Sequence, residues 1–235
     1  MKIALLNIYT ENIKQLAVIT TEYNKRKYCE KHGYDLLVKT KDFSYKDFGF
    51  EKIKFVLDTV KSNKYDWILW VGSDTMITNY NIKVEHLIDE EKSFIIANDV
   101  WDFNSDVFLI KNHPRSIEYF EEILSLHDKY IDENGKPRDL GVRLPDGGAR
   151  CWAEQEAMID LKEKYKDAIK IVPQKILNSY LYHLYPSQWH QKGLDCEGYD
   201  GRWSEGDFIV HWPGMNNELR LNLAVNFIPK VKGDE

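Results

Sequence analysis

DWILWVGSDTMITN, residues Asp66 to Asn79, decides the fold. It opens as an unbroken apolar run, Trp67 to Val71, and then passes at once into Gly72, Ser73 and Asp74. A short apolar run bounded by turn residues reads as a strand covered on both faces, the kind that fills a parallel sheet. Gly-Ser-Asp is also an ordinary turn composition, so two readings of Asp74 stand open: a turn former, or a carboxylate placed for chemistry.

Outward from this run the pattern alternates. KIALLNIY, 2–9, reads as a buried strand. Residues 11–32 carry Ile13, Leu16, Ala17, Thr20 and Tyr23 at helical spacing and stop at Gly33, a common helix end. YDLLVKT, 34–40, is a second strand, and FEKIKFVLDTVKSN, 50–63, sets Ile53, Val56, Leu57 and Val60 on one helical face. Strand, helix, strand, helix, strand predicts right-handed crossovers and a mostly parallel, Rossmann-like sheet flanked by helices. Ligands of such α/β sheets bind beyond the carboxyl ends of the strands, where Asp74 lies.

Further strands are expected at SFIIAND (93–99), DVFLIKN (106–112), IKIVP (169–173) and GDFIVHWPG (206–214), with helices from Pro114 to His127 and over 151–167. The polar, glycine-bearing segment 131–150 is long for a plain connection and is expected to be a mobile functional loop. Residues 180–205 are expected to be irregular and lined by aromatic rings, with Trp189, His190, Trp203 and Trp212 as candidates for an acceptor floor or for the core.

Composition sets the class. The chain has 235 residues, enough for one α/β domain with a full core. A net charge of −6 argues against broad nucleic-acid binding, which needs clustered cations for phosphate. Cys29, Cys151 and Cys196 are widely spaced and odd in number, which fits neither a disulfide framework nor a zinc knuckle and suits a reducing compartment. No stretch approaches the ~20 apolar residues of a transmembrane helix. The run Ile3 to Ile8 is too short for a secretory signal, so a cytoplasmic, non-secreted setting is expected, in the producing cell or in a virus-infected host cell.

Asp74 and His211 share a pattern: each closes an apolar strand and precedes a turn. An aspartate oxygen and a neutral imidazole nitrogen are both suited to a divalent cation such as Mn²⁺, and phosphate oxygens can complete the shell.

Six blocks in order carry a resemblance. NKRKYCEKHGYDL (24–36), FEKIKFVLDTVKSNKYDWILWVGSDTMITN (50–79), DFNSDVFLIKN (102–112), AEQEAMIDL (153–161), VPQKILNSY (172–180) and GDFIVHWPG (206–214) resemble the retaining α-galactosyl-, α-xylosyl- and α-mannosyltransferase family of the plant and yeast secretory pathway. The resemblance implies a GT-A fold and a single glycosyltransferase domain, with 1–112 as the nucleotide-sugar half and 113–235 as the acceptor and metal-completing half. It implies transfer from a nucleotide-sugar, UDP-linked, to a glycan hydroxyl with retention, using Mn²⁺ or Mg²⁺.

Under that resemblance Asp74 and His211 inherit the metal, and Ser73 and Thr75 lie near the phosphates. Glu154 and Gln155 take the places of the family's Asp-Gln pair beside the anomeric carbon. Asp99, Asp102 and Asp106 are candidates around the donor sugar, Lys52 and Lys111 for the nucleotide, and Gly214 and Arg220 for the diphosphate. The chain departs from the pattern at several positions. Gly72 stands where the first carboxylate of Asp-x-Asp is expected, Lys111 where an arginine is, and Met215, Asn216 and Asn217 follow Gly214 where a lysine is expected; Asp106 stands where a glycine is, to bind a donor hydroxyl, to replace the lost charge or to face solvent. A sugar- or nucleotide-binding module that has lost turnover is the competing reading, and a metal hydrolase on Asp74 and His211 a weaker third.

Overall fold

The computed structural model describes residues 1–144, 147–186 and 188–234. A six-stranded sheet forms the centre, with strand order β2-β1-β3-β6-β5-β7. Its strands are β1 (Ile3–Ile8), β2 (Asp35–Lys39), β3 (Trp67–Val71), β5 (Phe94–Asn98), β6 (Phe103–Lys111) and β7 (Ile169–Val172). The others, β4 (Thr75–Ile77), β8 (Ser179–Tyr180) and β9 (Ile209–His211), make a small second sheet in the order β4-β9-β8.

Pairing is parallel for β1 with β2 and β3 and for β5 with β7, while β6 runs against both β3 and β5. The reversal has a local cause. Only 99–102 separate β5 from β6, and so short a link closes a hairpin but cannot carry a crossover.

Both faces of the large sheet are covered, which is why β3 is apolar at every position. Ile68 and Trp70 face the cluster built with the helices Phe48–Lys61, Pro114–Ser125 and Glu154–Asp160. Trp67, Leu69 and Val71 face the other cluster, with Tyr28, Tyr80 and Phe208. A third cluster, Leu16, Met76, Val210, Trp212 and Phe227, fills the space under the small sheet.

The helical stretch at 11–32 differs from expectation in its winding. Its residues 18–25 form a π-helical segment, and Gly33 ends the stretch at φ +71°. Its buried positions fall in pairs four apart, Leu16/Ala17, Thr20/Thr21, Asn24/Lys25 and Tyr28/Cys29, whereas Tyr23 is exposed. A regular α-helix of 3.6 residues per turn rotates such pairs away from one another, and the wider turn keeps them on one face. The helix expected at 151–167 is shorter, Glu154–Asp160. The described parts of the 131–150 segment make small bridged turns, Ile131 with Pro137 and Arg143 with Ala149.

Candidate functional site

The site lies where the two sheets part. β3 leaves the large sheet after Val71; the chain turns through Gly72, Ser73 and Asp74, and enters β4. β4 pairs with β9 so that Thr75 lies opposite His211, and the Trp212 amide donates to Asp74 O at 3.1 Å. The antiparallel β6 brings Asp106 beside the same turn, its carbonyl accepting from Gly72 N at 2.8 Å. Three elements distant in sequence thereby deliver Asp74, Asp106 and His211 with ligand atoms within 4.8 Å of one another.

His211 is fully buried, and its two nitrogens have different fates. Nδ1 lies 2.8 Å from Asn178 Oδ1. The amide oxygen accepts the Nδ1 proton, so Nε2 is the nitrogen turned to the carboxylates, protonated in the charged ring and a lone pair in the neutral one. Nε2 makes no hydrogen bond, although it sits 3.1 Å from Asp106 Oδ2 and 3.5 Å from Asp74 Oδ2. A buried imidazole nitrogen aimed between two carboxylates fits a divalent cation in charge and in donor type. Burial opposes charge on the ring, but the two aspartates outweigh it and raise the imidazole to about 9. For Asp106 burial is likewise overcome, by His211, Lys52 and Arg220, and its carboxyl is held well below the usual carboxylate range.

Arg220, in the helix Asn217–Phe227, reaches back to the turn. It donates to Asp74 Oδ2 at 2.6 Å, and its Nε donates to Trp212 O at 3.1 Å. On the other side Lys52 Nζ is buried against Glu154 Oε1 (2.6 Å), Ser105 O (2.9 Å) and Ser105 Oγ (3.0 Å). Burial lowers the charge preference of Lys52, and Glu154 and Asp106 more than restore it. Ser105 also donates from Oγ to Glu154 (2.8 Å) and from its amide to Gln155 Oε1 (2.9 Å). The Glu154-Gln155 helix follows Ala153 at φ 49°, a left-handed backbone that a non-glycine residue adopts at a cost of ~1–3 kcal/mol.

Two cavities meet here. One, of about 310 Å³, is bounded by Tyr9, Lys52, Gly72, Asp74 and Arg220. The other, of about 480 Å³, is bounded by Asp99, Trp152, Gln155, Tyr185 and Gly214. Asp106 and Glu154 belong to both walls.

Of the residues expected from sequence, Asp74, His211, Asp106, Lys52, Glu154, Gln155, Arg220, Gly214 and Asp99 come together. Asp99 is buried, accepting from Trp101 N at 2.9 Å and from the Tyr180 hydroxyl at 3.2 Å; burial pushes its carboxyl up. Four other expected residues are engaged elsewhere within the fold. Thr75 is fully buried and its hydroxyl closes the turn on Gly72 O at 2.7 Å. Ser73 borders the first cavity, but its hydroxyl is engaged by Ile8 O at 2.8 Å and Asn7 Oδ1 at 3.0 Å. Asp102 accepts from Lys162 at 2.9 Å and borders neither of the two cavities. Lys111 lies at the far end of the sheet, opposite the first residue of β3, with Glu90, because β6 is reversed.

Among the aromatic candidates Trp212 is core, while Trp203 packs edge-on against Phe227 outside both cavities. His190 stacks on Tyr185 at 4.7 Å in the second cavity, and the side chain of Trp189 lies outside the described residues.

Sequence reasoning missed the supports. Asn178 orients His211. Thr20, Asn24 and Lys25 hold the turn from below: Thr20 Oγ1 donates to Ser73 O (2.8 Å), Asn24 to Ile77 O (2.8 Å) and Lys25 Nζ to Thr75 O (2.9 Å). Desolvation lowers the Lys25 ammonium to about 7. Their signal was the four-residue spacing of polar residues among apolar ones in 16–29.

The geometry agrees with what the chain is similar to. The galactosyl transferase GMA12/MNN10 family matches residues 5–93. An uncharacterised alpha-1,2-galactosyltransferase of Schizosaccharomyces pombe is 27% identical over 234 residues, covering 86% of this chain. The chain spans 64% of that relative's length. A glycosyltransferase involved in glycosylation of the major capsid of PBCV-1 superposes with TM-score 0.69 at 15% identity, covering 96% of this chain and 100% of the other. The glycosyltransferase GlyE of Streptococcus pneumoniae superposes with TM-score 0.55 at 16% identity, covering 99% of this chain and 64% of that one. Over residues 5–93 the chain is thus similar to the galactosyl transferase GMA12/MNN10 family, and its fold is that of GT-A glycosyltransferases.

Proposed function

We propose that the chain is a glycosyltransferase that moves a hexose or pentose from a nucleoside diphosphate sugar, UDP-linked, to a glycan hydroxyl with retention of configuration. The observation that carries this reading is the buried, unpartnered Nε2 of His211 aimed between Asp74 and Asp106 at the junction of two cavities. Two carboxylates and one imidazole suit Mn²⁺, with Mg²⁺ the harder alternative. When bound, the ion supplies Lewis-acid stabilisation of a diphosphate leaving group.

The chain's own residues divide the remaining work. The cavity bordered by Tyr9, Lys52 and Arg220 takes the donor, and Arg220 offers a bidentate cation to its diphosphate. Lys52 and Ser105 fix Glu154 in the wall between the cavities, and the Ser105 amide fixes Gln155 on the side of the second cavity, so the pair is held at the boundary of donor and acceptor without rotamer search. The second cavity, with Trp152 and Tyr185, takes the acceptor glycan. No protein nucleophile is assigned; the acceptor proton passes to the departing diphosphate oxygen. Residues 1–112 thus form most of the donor side, and 113–235 add Glu154, His211 and Arg220. Free Cys29, Cys151 and Cys196 support a reducing, cytoplasmic setting.

The test is release of UDP from a panel of UDP-sugars with Mn²⁺, with Mg²⁺ and with chelator. Metal-dependent release, with the product anomer read by NMR, supports the reading. Binding of the nucleotide-sugar without release favours a binding module, and acceptor-independent hydrolysis without nucleotide preference favours a metal hydrolase.

A further inference from the structure

Position 72, at the exit of β3, is glycine, yet the space beside it holds a carboxylate. The β3–β6 ladder pairs Val71 with Val107, and the Gly72 N to Asp106 O bond of 2.8 Å extends it by one pair. Residues directly opposite in an antiparallel ladder project from the same face with Cβ atoms ~5 Å apart; the next such pair, Trp70 and Phe108, stacks at 6.3 Å. A Cβ built on Gly72 would meet Asp106 Oδ1 at 3.0 Å, Asp106 Cγ at 3.1 Å and Asp74 Oδ1 at 3.3 Å. The Asp106 carboxylate therefore fills the volume that a side chain at 72 would enter. A third of that side chain remains open to the cavities, within reach of an incoming ion.

We propose that Asp106 is the second carboxylate ligand of the cation site, and that positions 72 and 106 are alternative anchors for one carboxylate. The inference rests on the cation reading above and refines it: one ligand comes from the β3 turn, one from β6 and one from β9. Asp106 thus binds metal, and donor-sugar hydroxyls are left to Glu154, Gln155 and Asp99. The unpartnered, buried Nε2 of His211, 3.1 Å from Asp106 Oδ2, is the independent sign that an ion belongs between them.

The experiment is Mn²⁺ titration by electron paramagnetic resonance, without nucleotide, on the parent, Asp106→Asn, Asp106→Gly, Gly72→Asp, Gly72→Asp/Asp106→Gly, Asp74→Ala and His211→Ala. Asp106→Asn keeps the side-chain volume, so its folded state is secured by thermal melting. It is expected to weaken Mn²⁺ by at least about tenfold, the scale of losing an ordered contact at a metal site. The double exchange is expected to recover most of the affinity that Asp106→Gly loses, and Gly72→Asp alone to gain none. The proposal is overturned if Asp106→Asn binds Mn²⁺ as the parent does, if the double exchange is no better than Asp106→Gly, or if Gly72→Asp alone tightens binding. Should Asp74→Ala and His211→Ala also leave Mn²⁺ binding intact, the cation reading itself fails; if they abolish it while Asp106 is indifferent, only the shared anchor fails.

Discussion

Asn178 Oδ1 lies 2.8 Å from His211 Nδ1, and that bond decides which ring nitrogen faces Asp74 and Asp106. Asn178 precedes β8, which runs parallel to β9 with Tyr180 opposite His211, so the small sheet sets His211 beside the residue that orients it. Asn178→Ala removes the acceptor and frees the ring to turn. Mn²⁺ affinity should drop roughly 10- to 100-fold with the thermal melt little changed, measured by calorimetric titration. Unaltered affinity would separate Asn178 from the site.

The two aspartates raise the His211 imidazole to about 9 in the fold, against 6.5 for an ordinary histidine. Between those values the folded chain holds a proton that the unfolded chain has lost, so folding stability falls as pH rises across the window. The contribution is full below pH 6.5 and gone above about 9. Chelated protein melted at steps from pH 6 to 9.5 should show this decline, and His211→Gln should flatten it. Parallel profiles for the two proteins would contradict the ion-pair description.

Gly49 lies in the helix Phe48–Lys61, and a Cβ there would collide with Glu154 Oε2. Gly49→Ala should therefore push Glu154 off Lys52 while leaving the cation ligands alone. Turnover should fall by at least about tenfold, the scale of a misplaced reacting group, with Mn²⁺ affinity retained. Loss of both together would mean that Glu154 also supports the cation site.

Arg220 and an entering cation compete for Asp74, since the guanidinium already sits 2.6 Å from Oδ2. Arg220→Ala should tighten Mn²⁺ in the absence of nucleotide and weaken UDP in its presence. Fluorescence titrations of each ligand separately give both signs, and weakening of the two alike would refute the competition.

Much of this architecture was legible in the chain, for physical reasons. β1 and β3 are buried along their whole length because both their faces are covered, and the helix Phe48–Lys61 carries a single apolar stripe. Asp74 and His211 could be singled out because each ends an apolar strand at a turn. What the sequence concealed was direction and register. β6 reads like any buried strand, and only its reversal sends Lys111 to the far end of the sheet and brings Asp106 opposite Gly72. From sequence, replacing the charge missing at Gly72 was one of three readings of Asp106; the ladder adds that the two positions face each other. A hydroxyl beside Asp74 is chemically suited to a phosphate, but the sequence does not reveal that the tight turn engages the Thr75 hydroxyl with Gly72 O. Lys25 went unremarked because a lone lysine in a helix is normally solvated, and the π-helical winding that buries it leaves no simple 3.6-residue signature.

The central claim is that Asp74 and His211 hold the cation on which glycosyl transfer depends. Its most direct test is UDP release from the preferred UDP-sugar at saturating Mn²⁺, comparing the parent with Asp74→Ala and His211→Ala. The account predicts release that chelator abolishes in the parent and a loss of roughly 100-fold or more in each variant, the equivalent of about 3 kcal/mol of transition-state stabilisation. Metal-dependent release at the parental rate in either variant would contradict it.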